Sequence, residues 1–525
     1  MTEAIFVVIG GLLAIAAAAT VAPRIGIASP LLLVLLGIGV SFLPFVPDVE
    51  VEPHWILTVV LPPLLYSAAV SVPEMDFRRE FTAIRGLSVV LVALSAVLLG
   101  LFFSAVIPGL NLAWGIALGA IVSPTDAVAT QIVKRVGVSG RITAVLEGEG
   151  LLNDATALVI LRTAIAATAV SVSFGGVLWD FVFAVGAAVV IGFVVGHASM
   201  YVRAWVNDPA VNTVVGFTVP FIAALPAEEI GASGLVAAVT AGLVVGRHAP
   251  EMLSPRHRLS DRENWRTVEL ILEGGIFLVM GLELSAIVED AEGDLGTAAT
   301  VAAAGLALTL LIRAAYVALL LVGLGRRARR GARFKSQVTT MQEQLDAGDP
   351  EVVERVLKRA RGNEEALERF RTQVRRRVAD IDYFLAEPLG WREGTVIVWA
   401  GMRGAITLAA AQTLPEDAPQ RSLLILIAFL VAAGSLVIQG GTLARVVALV
   451  KPAPEREDPG ERGRLRELLI AALEGTGDEP IAKLDAQRRA ILELRDEGTF
   501  SANALNRELA LLDARQIGLE LRDAD

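Results

Sequence analysis

The sequence predicts an all-α polytopic membrane protein with about thirteen transmembrane helices. Three observations lead there. First, 54% of the 525 residues are hydrophobic and only 19% are charged, with a mean hydropathy of +0.60. A soluble domain carries about 25% charged residues. Second, apolar segments of spanning length recur, at roughly 4–22, 28–46, 54–72, 86–107, 111–134, 141–169, 175–202, 209–227, 231–247, 265–288, 297–324, 392–414 and 420–446. Third, the loops between them alternate in basic charge.

The even-numbered loops hold Asp48/Glu50/Glu52, Pro108–Asn111, Ser171–Gly175, Glu228/Glu229, Glu289–Asp294 and Pro415–Pro419, with no Lys or Arg. The odd-numbered loops carry Arg24, Arg78/Arg79, Lys134/Arg135, Arg203, Arg247/Arg256/Arg258/Arg262 and the basic 326–380 stretch. The positive-inside rule then puts the N-terminus outside and the C-terminus in the cytosol. Ala14–Ala22 could pass for the end of a signal peptide, but Glu3 precedes it and no Lys or Arg does, so it reads as a first span.

Residues 1–450 form the membrane domain. A charged, helix-prone insertion at 326–391 opens on Arg326-Arg327-Ala328-Arg329-Arg330, which either touches anionic lipid headgroups or anchors the preceding span. The tail, 452–525, repeats apolar residues at helical spacing: Leu465, Leu468, Leu469 and Leu473, then Ile491 and Leu494, then Leu505, Leu509 and Leu512. It reads as a few amphipathic helices with either an assembly or a regulatory role. Much of the net charge of −10 sits in this tail.

Cysteine is absent, which excludes disulfides and thiol chemistry. The four histidines, His54, His197, His248 and His257, form no His-x-x-x-His pair, so no transition-metal site is expected. No cofactor and no nucleic-acid partner are expected either.

Two spans are interrupted. Ser123-Pro124-Thr125-Asp126 breaks the fifth, because proline removes a helix donor and clashes with the preceding turn. Gly401-Met402-Arg403-Gly404 interrupts the twelfth. Broken helices in the two halves of a chain point to an inverted-repeat transporter with its site at the crossing. An aspartate suits the half-helix N-termini there and an arginine the C-termini, so Asp126 and Arg403 have the right signs.

Six ionisable groups fall near the midplane: Asp126, Glu149, Asp154, Glu273, Arg313 and Arg403. At about 3 kcal/mol each, uncompensated, they would cost about 18 kcal/mol, so they must largely neutralise one another. Pairing Arg313 with Glu149 and Glu273, and Arg403 and Asp126 with helix ends, leaves one negative charge. Asp154 is its natural holder, since no basic residue lies within one helical turn. A carboxylate that takes one proton or one monovalent cation, but not both, is an exchange device.

Asp126 either caps the broken ends or touches the ion. Asn153 either ligates or holds helix geometry. Arg162 is expected to snorkel to the interface, and Glu283, near the end of its span, to be solvated. A channel is disfavoured by the lack of a Thr-Val-Gly-Tyr-Gly filter. An intramembrane aspartyl protease using Asp126 and Asp154 is a remote alternative, lacking any Tyr-Asp or Gly-x-Gly-Asp context.

Six motifs, Leu61-Pro62-Pro63-Leu64-Leu65, Ser123–Asp126, Glu147–Asp154, Phe277–Leu284, Gly401–Ala405 and Gln439-Gly440, occur in order over about residues 1–450. Together they resemble the monovalent cation/proton antiporters of the first cation–proton antiporter family. That family includes NhaP-type antiporters and eukaryotic Na+/H+ exchangers. The resemblance implies the Na+/H+ antiporter fold: an inverted repeat, two crossed discontinuous helices, and a core domain moving against a dimerisation domain. It implies a homodimer in the plasma membrane that exchanges Na+, or Li+, for H+, with K+/H+ exchange at the same site as the alternative. It also implies Asp154 as the ion and proton carboxylate beside Asn153, Thr125 and Asp126 at the crossing, and a Glu149–Arg313 bridge. Asp154 and Thr125 would ligate Na+. An Asn-Asp pair in this family accompanies electroneutral one-for-one exchange.

Two positions depart from the family pattern. Gly150 stands where a ligating serine is common, and Ser67 where an acidic residue near the ion site is common. Both changes remove oxygen ligands or charge, and Ser67 is itself a possible accessory ligand.

Overall fold

Helix covers each of the thirteen apolar segments, and no β-strand occurs among the described residues of this computed structural model. Those residues are 2–25, 27–42, 52–169, 174–290, 295–359, 364–454 and 459–522. Asp48 and Glu50, residues 171–173, residues 291–294 and the end of the second apolar segment lie outside them. Eight described helices are long and apolar enough to cross a membrane on their own. Three shorter apolar pieces, Ser29–Ser41, Ile56–Ser71 and Leu112–Val122, add to them.

The chain divides into two compact units. The larger takes residues 1–72, 80–318 and 392–452; the smaller takes 73–79, 319–391 and 453–525. Two groups of helices make up the larger unit. In one, Ser29–Ser41 packs on Pro255–Leu282, and Gly234–Met252 packs on Leu61–Ser71, Phe174–Ala204 and Pro209–Glu229. In the other, Leu112–Val122 packs on Val92–Val106 and Gly140–Ala169, and Ala405–Gln412 packs on Arg421–Ser435. The first group is termed the scaffold; the second holds both broken helices.

Local irregularities have sequence causes. The backbone widens to a π-helical stretch at Ile56–Val60, just before Pro62 and Pro63, which have no N–H to return to the preceding turn. Another widening, Leu436–Gly440, leads into Gly440-Gly441 and turns Gln439 inward, where it is fully buried.

In the smaller unit the tail helices Pro459–Ala471, Pro480–Glu497 and Ala502–Arg522 share a core of Leu465, Leu469, Leu484, Ile491, Phe500, Ala504, Leu505 and Leu512. Leu468, read from spacing as part of the apolar face, is instead 44% exposed. The insertion has its own core of Leu345, Val352, Leu367 and Val374. Its basic cluster lies inside one continuous helix, Leu295–Asp346, and begins no new element. Arg375 joins insertion to tail, donating to Asp346 and Glu497 at 2.7 Å each. Hydrogen bonds to those two carboxylates push its guanidinium further up from the usual arginine range.

Candidate functional site: two broken helices and a buried carboxylate

Asn111 starts the first broken helix by accepting a hydrogen bond from the Trp114 N–H at 3.0 Å. Leu112–Val122 then stops before Pro124, residues 123–127 are unwound, and Val128–Val136 resumes. The second broken helix runs Trp391–Trp399, unwinds, and resumes at Ala405–Gln412. Unwound backbone inside a bilayer must find partners within the protein. The Asp126 N–H donates to the Met402 carbonyl at 2.8 Å, tying the two breaks together. The Arg403 N–H donates to Ser435 Oγ at 2.9 Å, and Gln439 Nε2 donates to the Trp399 carbonyl at 3.0 Å. Ser435 in turn donates to Gln439 Oε1 at 2.6 Å. This accounts for Gln439-Gly440 as a motif: its amide closes the carbonyl end of a half-helix.

Charges sit where the helix ends want them. Arg403, fully buried, donates through Nε to the Val122 carbonyl at 2.9 Å and through Nη1 to the Gly401 carbonyl. Val122 ends the first half-helix, so a cation meets the negative end of its dipole. Asp126 Oδ1 accepts from the Val128 N–H at 2.8 Å and caps the second half-helix. Its Oδ2 lies against Gly404, at the start of Ala405–Gln412, so a side chain there would fall on the carboxylate. Gly401 likewise leaves room for the Arg313 guanidinium. Both glycines are dictated by space.

Beside the crossing runs Gly140–Ala169, which carries Glu149, Asn153 and Asp154. Arg313 holds Glu149 through two hydrogen bonds, at 2.5 and 2.8 Å, and donates through Nε to the Ile397 carbonyl at 3.0 Å. Thr125 Oγ1 donates to Glu149 Oε1 at 3.0 Å. Asn153 Nδ2 donates to the Thr125 carbonyl at 2.7 Å and to its Oγ1 at 2.8 Å. The amide of Asn153 therefore pins the unwound backbone to the long helix. Asp154 is 3% exposed, and its carboxylate makes no hydrogen bond or ion pair among the described residues.

Two expectations need correction. Glu273 does not join Arg313, whose acidic partner is Glu149 alone. Glu273 accepts instead from Gln131 Nε2, at 3.0 and 2.9 Å. Its position on the scaffold helix Pro255–Leu282 faces the half-helix Val128–Val136, which presents Gln131 to it. Glu283 is not solvated; it is 5% exposed and accepts from Gln412 Nε2 at 2.9 Å. Arg162 is exposed at a cavity of about 280 Å³ that it shares with Leu158, Asp180 and Glu228.

Sequence reasoning missed Glu269. Ser67 Oγ donates to Glu269 Oε1 at 2.6 Å, so the position lacking its own acid is bonded to one from another helix. The available signal was spacing: Glu269 and Glu273 are one helical turn apart. Also missed was the buried pair Arg141–Glu80, 2.6 Å apart. At Gly150 an added Cβ would meet only the Ala127 Cβ, at 4.0 Å.

The family described as sodium/hydrogen exchanger, transmembrane, matches residues 11–346 and 372–449. Over 269 residues the chain is 35% identical to YjcE, an uncharacterised Na(+)/H(+) exchanger of Escherichia coli (strain K12), covering 50% of this chain and 49% of that one. It thus spans about half the length of that relative. It is 26% identical over 424 residues to the Na(+)/H(+) antiporter ApNhaP of Aphanothece halophytica, covering 79% of this chain and 68% of that one. Its fold is similar to the sodium proton antiporter MjNhaP1 from Methanocaldococcus jannaschii at pH 8, with TM-score 0.59 and 16% identity, covering 85% of this chain and 99% of that one. With most of its length matched, the chain belongs to the sodium/hydrogen exchanger family.

Proposed function

We propose that the protein is a secondary active antiporter that exchanges Na+ for H+ at Asp154. One observation carries this reading. Glu149, Asp126 and Glu273 each accept a hydrogen bond from a fixed partner, while the Asp154 carboxylate, almost wholly buried, accepts none among the described residues. A buried charge without a partner is costly, so Asp154 is stable when it holds a proton or a cation. Either occupant neutralises the site and lets the helices that carry it move against the scaffold. Thr125 sits on the unwound backbone beside Asn153, and it would share the Na+ with Asp154.

One carboxylate that trades one charge for one charge gives electroneutral exchange. The Glu149–Arg313 pair and the two helix-end charges stay in place throughout. In this reading the protein is a homodimer in the plasma membrane with its C-terminus in the cytosol, an orientation that the basic loops favour. The protease alternative finds no support, because Asp126 is committed to capping a helix and pairing two breaks.

The test uses everted vesicles loaded with a proton gradient, to which Na+, Li+ or K+ is added in turn while a pH-sensitive dye is followed. The expected result is dissipation by Na+ in the wild type and none in Asp154→Ala. Dissipation by Asp154→Ala at the wild-type rate would overturn the assignment. A rate that follows an imposed voltage would overturn electroneutrality.

A further inference from the structure

The scaffold helix Pro255–Leu282 offers two carboxylates one turn apart, Glu269 and Glu273, to two different neighbours. Ser67 on Leu61–Ser71 binds Glu269, and Gln131 on Val128–Val136 binds Glu273. Beside the first contact, Tyr66 packs on Trp265 with ring centroids 5.2 Å apart. Ser67 is itself buried. Its hydroxyl occupies Glu269 Oε1, and Oε2 has no hydrogen bond among the described residues.

Exposure falls along this face. Gln131 and Lys134 are exposed, Glu269, Glu273 and Asp126 are half-buried, and Asp154 is buried. Glu273 feels the charges of Glu269 and Asp126, and Asp126 is near enough to act on Asp154. The basic groups facing Glu269 are Lys134 and Arg266, and Lys134 is itself paired with Glu147. Negative charge on half-buried carboxylates raises the local concentration of cations.

We infer that Glu269, positioned by Ser67, is a cation-capturing residue for the exchange: a monovalent cation arriving from the Lys134 face meets its free oxygen before it reaches Asp154. This inference rests on the antiporter reading above. Glu269 takes no part in holding the final site. It sets how readily the cation is captured from one side of the membrane.

The experiment measures half-saturating Na+ for the full-length protein in everted vesicles, which expose the Lys134 face in the proposed orientation, and in right-side-out vesicles. Glu269→Gln keeps the shape and the acceptor for Ser67 but removes the charge. It is expected to raise half-saturating Na+ about three- to tenfold in everted vesicles. The maximal rate, and the constant in right-side-out vesicles, should stay at wild-type values, and Glu269→Asp should recover most of the loss. Wild-type half-saturation of Glu269→Gln in both orientations overturns the inference. So does aggregation of this isosteric variant, or a loss of maximal rate alone, each of which marks a structural acid. Asp154→Asn, run alongside, separates the two claims: exchange surviving in that variant would defeat the antiport site itself.

Discussion

Arg313 closes on Glu149 from 164 residues away, with Nη1 on Oε1 at 2.5 Å and Nη2 on Oε2 at 2.8 Å, both side chains 2% exposed. Its Nε meanwhile binds the Ile397 carbonyl at the end of a half-helix. The pair is thus a brace between the long helix that carries Asp154 and the second broken helix. Breaking a buried ion pair from one side strands a charge, at about 3–5 kcal/mol, whereas removing both partners is far less harmful. Arg313→Met and Glu149→Gln should each lower the melting temperature of the purified protein sharply. The double variant should melt above either single variant. Additive losses would show that the two residues act separately.

Gly404 faces the Asp126 carboxylate so closely that any side chain must displace it. Overpacking of this kind costs about 1–3 kcal/mol, and here it also dislodges a helix cap. Gly404→Ala should reduce both folded yield and exchange rate. Gly440→Ala, whose added carbon comes no closer than 3.4 Å, to the Met402 sulfur, should do so much less. Equal behaviour of the two in gel filtration and dye assays would argue against the close approach.

At Gly150 the sign is reversed. The space is open, so Gly150→Ser should fold normally and bring back an oxygen one turn before Asp154. The account predicts a lower half-saturating Na+ concentration at unchanged melting temperature. An unchanged or higher value would mean that this position does not face the ion.

Arg79 plays a comparable part in the smaller unit. Its Nε binds Asp380 at 2.8 Å, Nη2 binds the Gly498 carbonyl at 2.6 Å, and its guanidinium lies 4.6 Å from the centre of the Tyr383 ring. One side chain therefore holds insertion and tail together. Arg79→Ala should make the tail more sensitive to limited proteolysis of the full-length protein. A wild-type digestion pattern would show that the contact is dispensable.

Much of this was legible in the sequence because membrane burial makes polar residues conspicuous. Pro124 and the Gly401–Gly404 interruption could be read from residue type and depth alone, which gave Arg313 both Glu149 and Glu273; the family resemblance singled out the bridge to Glu149. What escaped was pairing between helices distant in sequence. Nothing local says that Glu273 meets Gln131 and not Arg313, or that Ser67 meets Glu269, because helix rotation and depth decide both. Glu283 was misjudged for the same reason: nearness to a span's end does not reveal a buried partner such as Gln412.

The central claim is that one carboxylate, Asp154, exchanges a proton for a cation. The most direct measurement is proton release when Na+ is added to the purified protein in weakly buffered solution, near the pH at which exchange is half-maximal. The account predicts release in the wild type approaching about one proton per Na+ bound, and none in Asp154→Asn. Equal release by Asp154→Asn, or Na+ binding by the wild type without proton release at any pH, would contradict it.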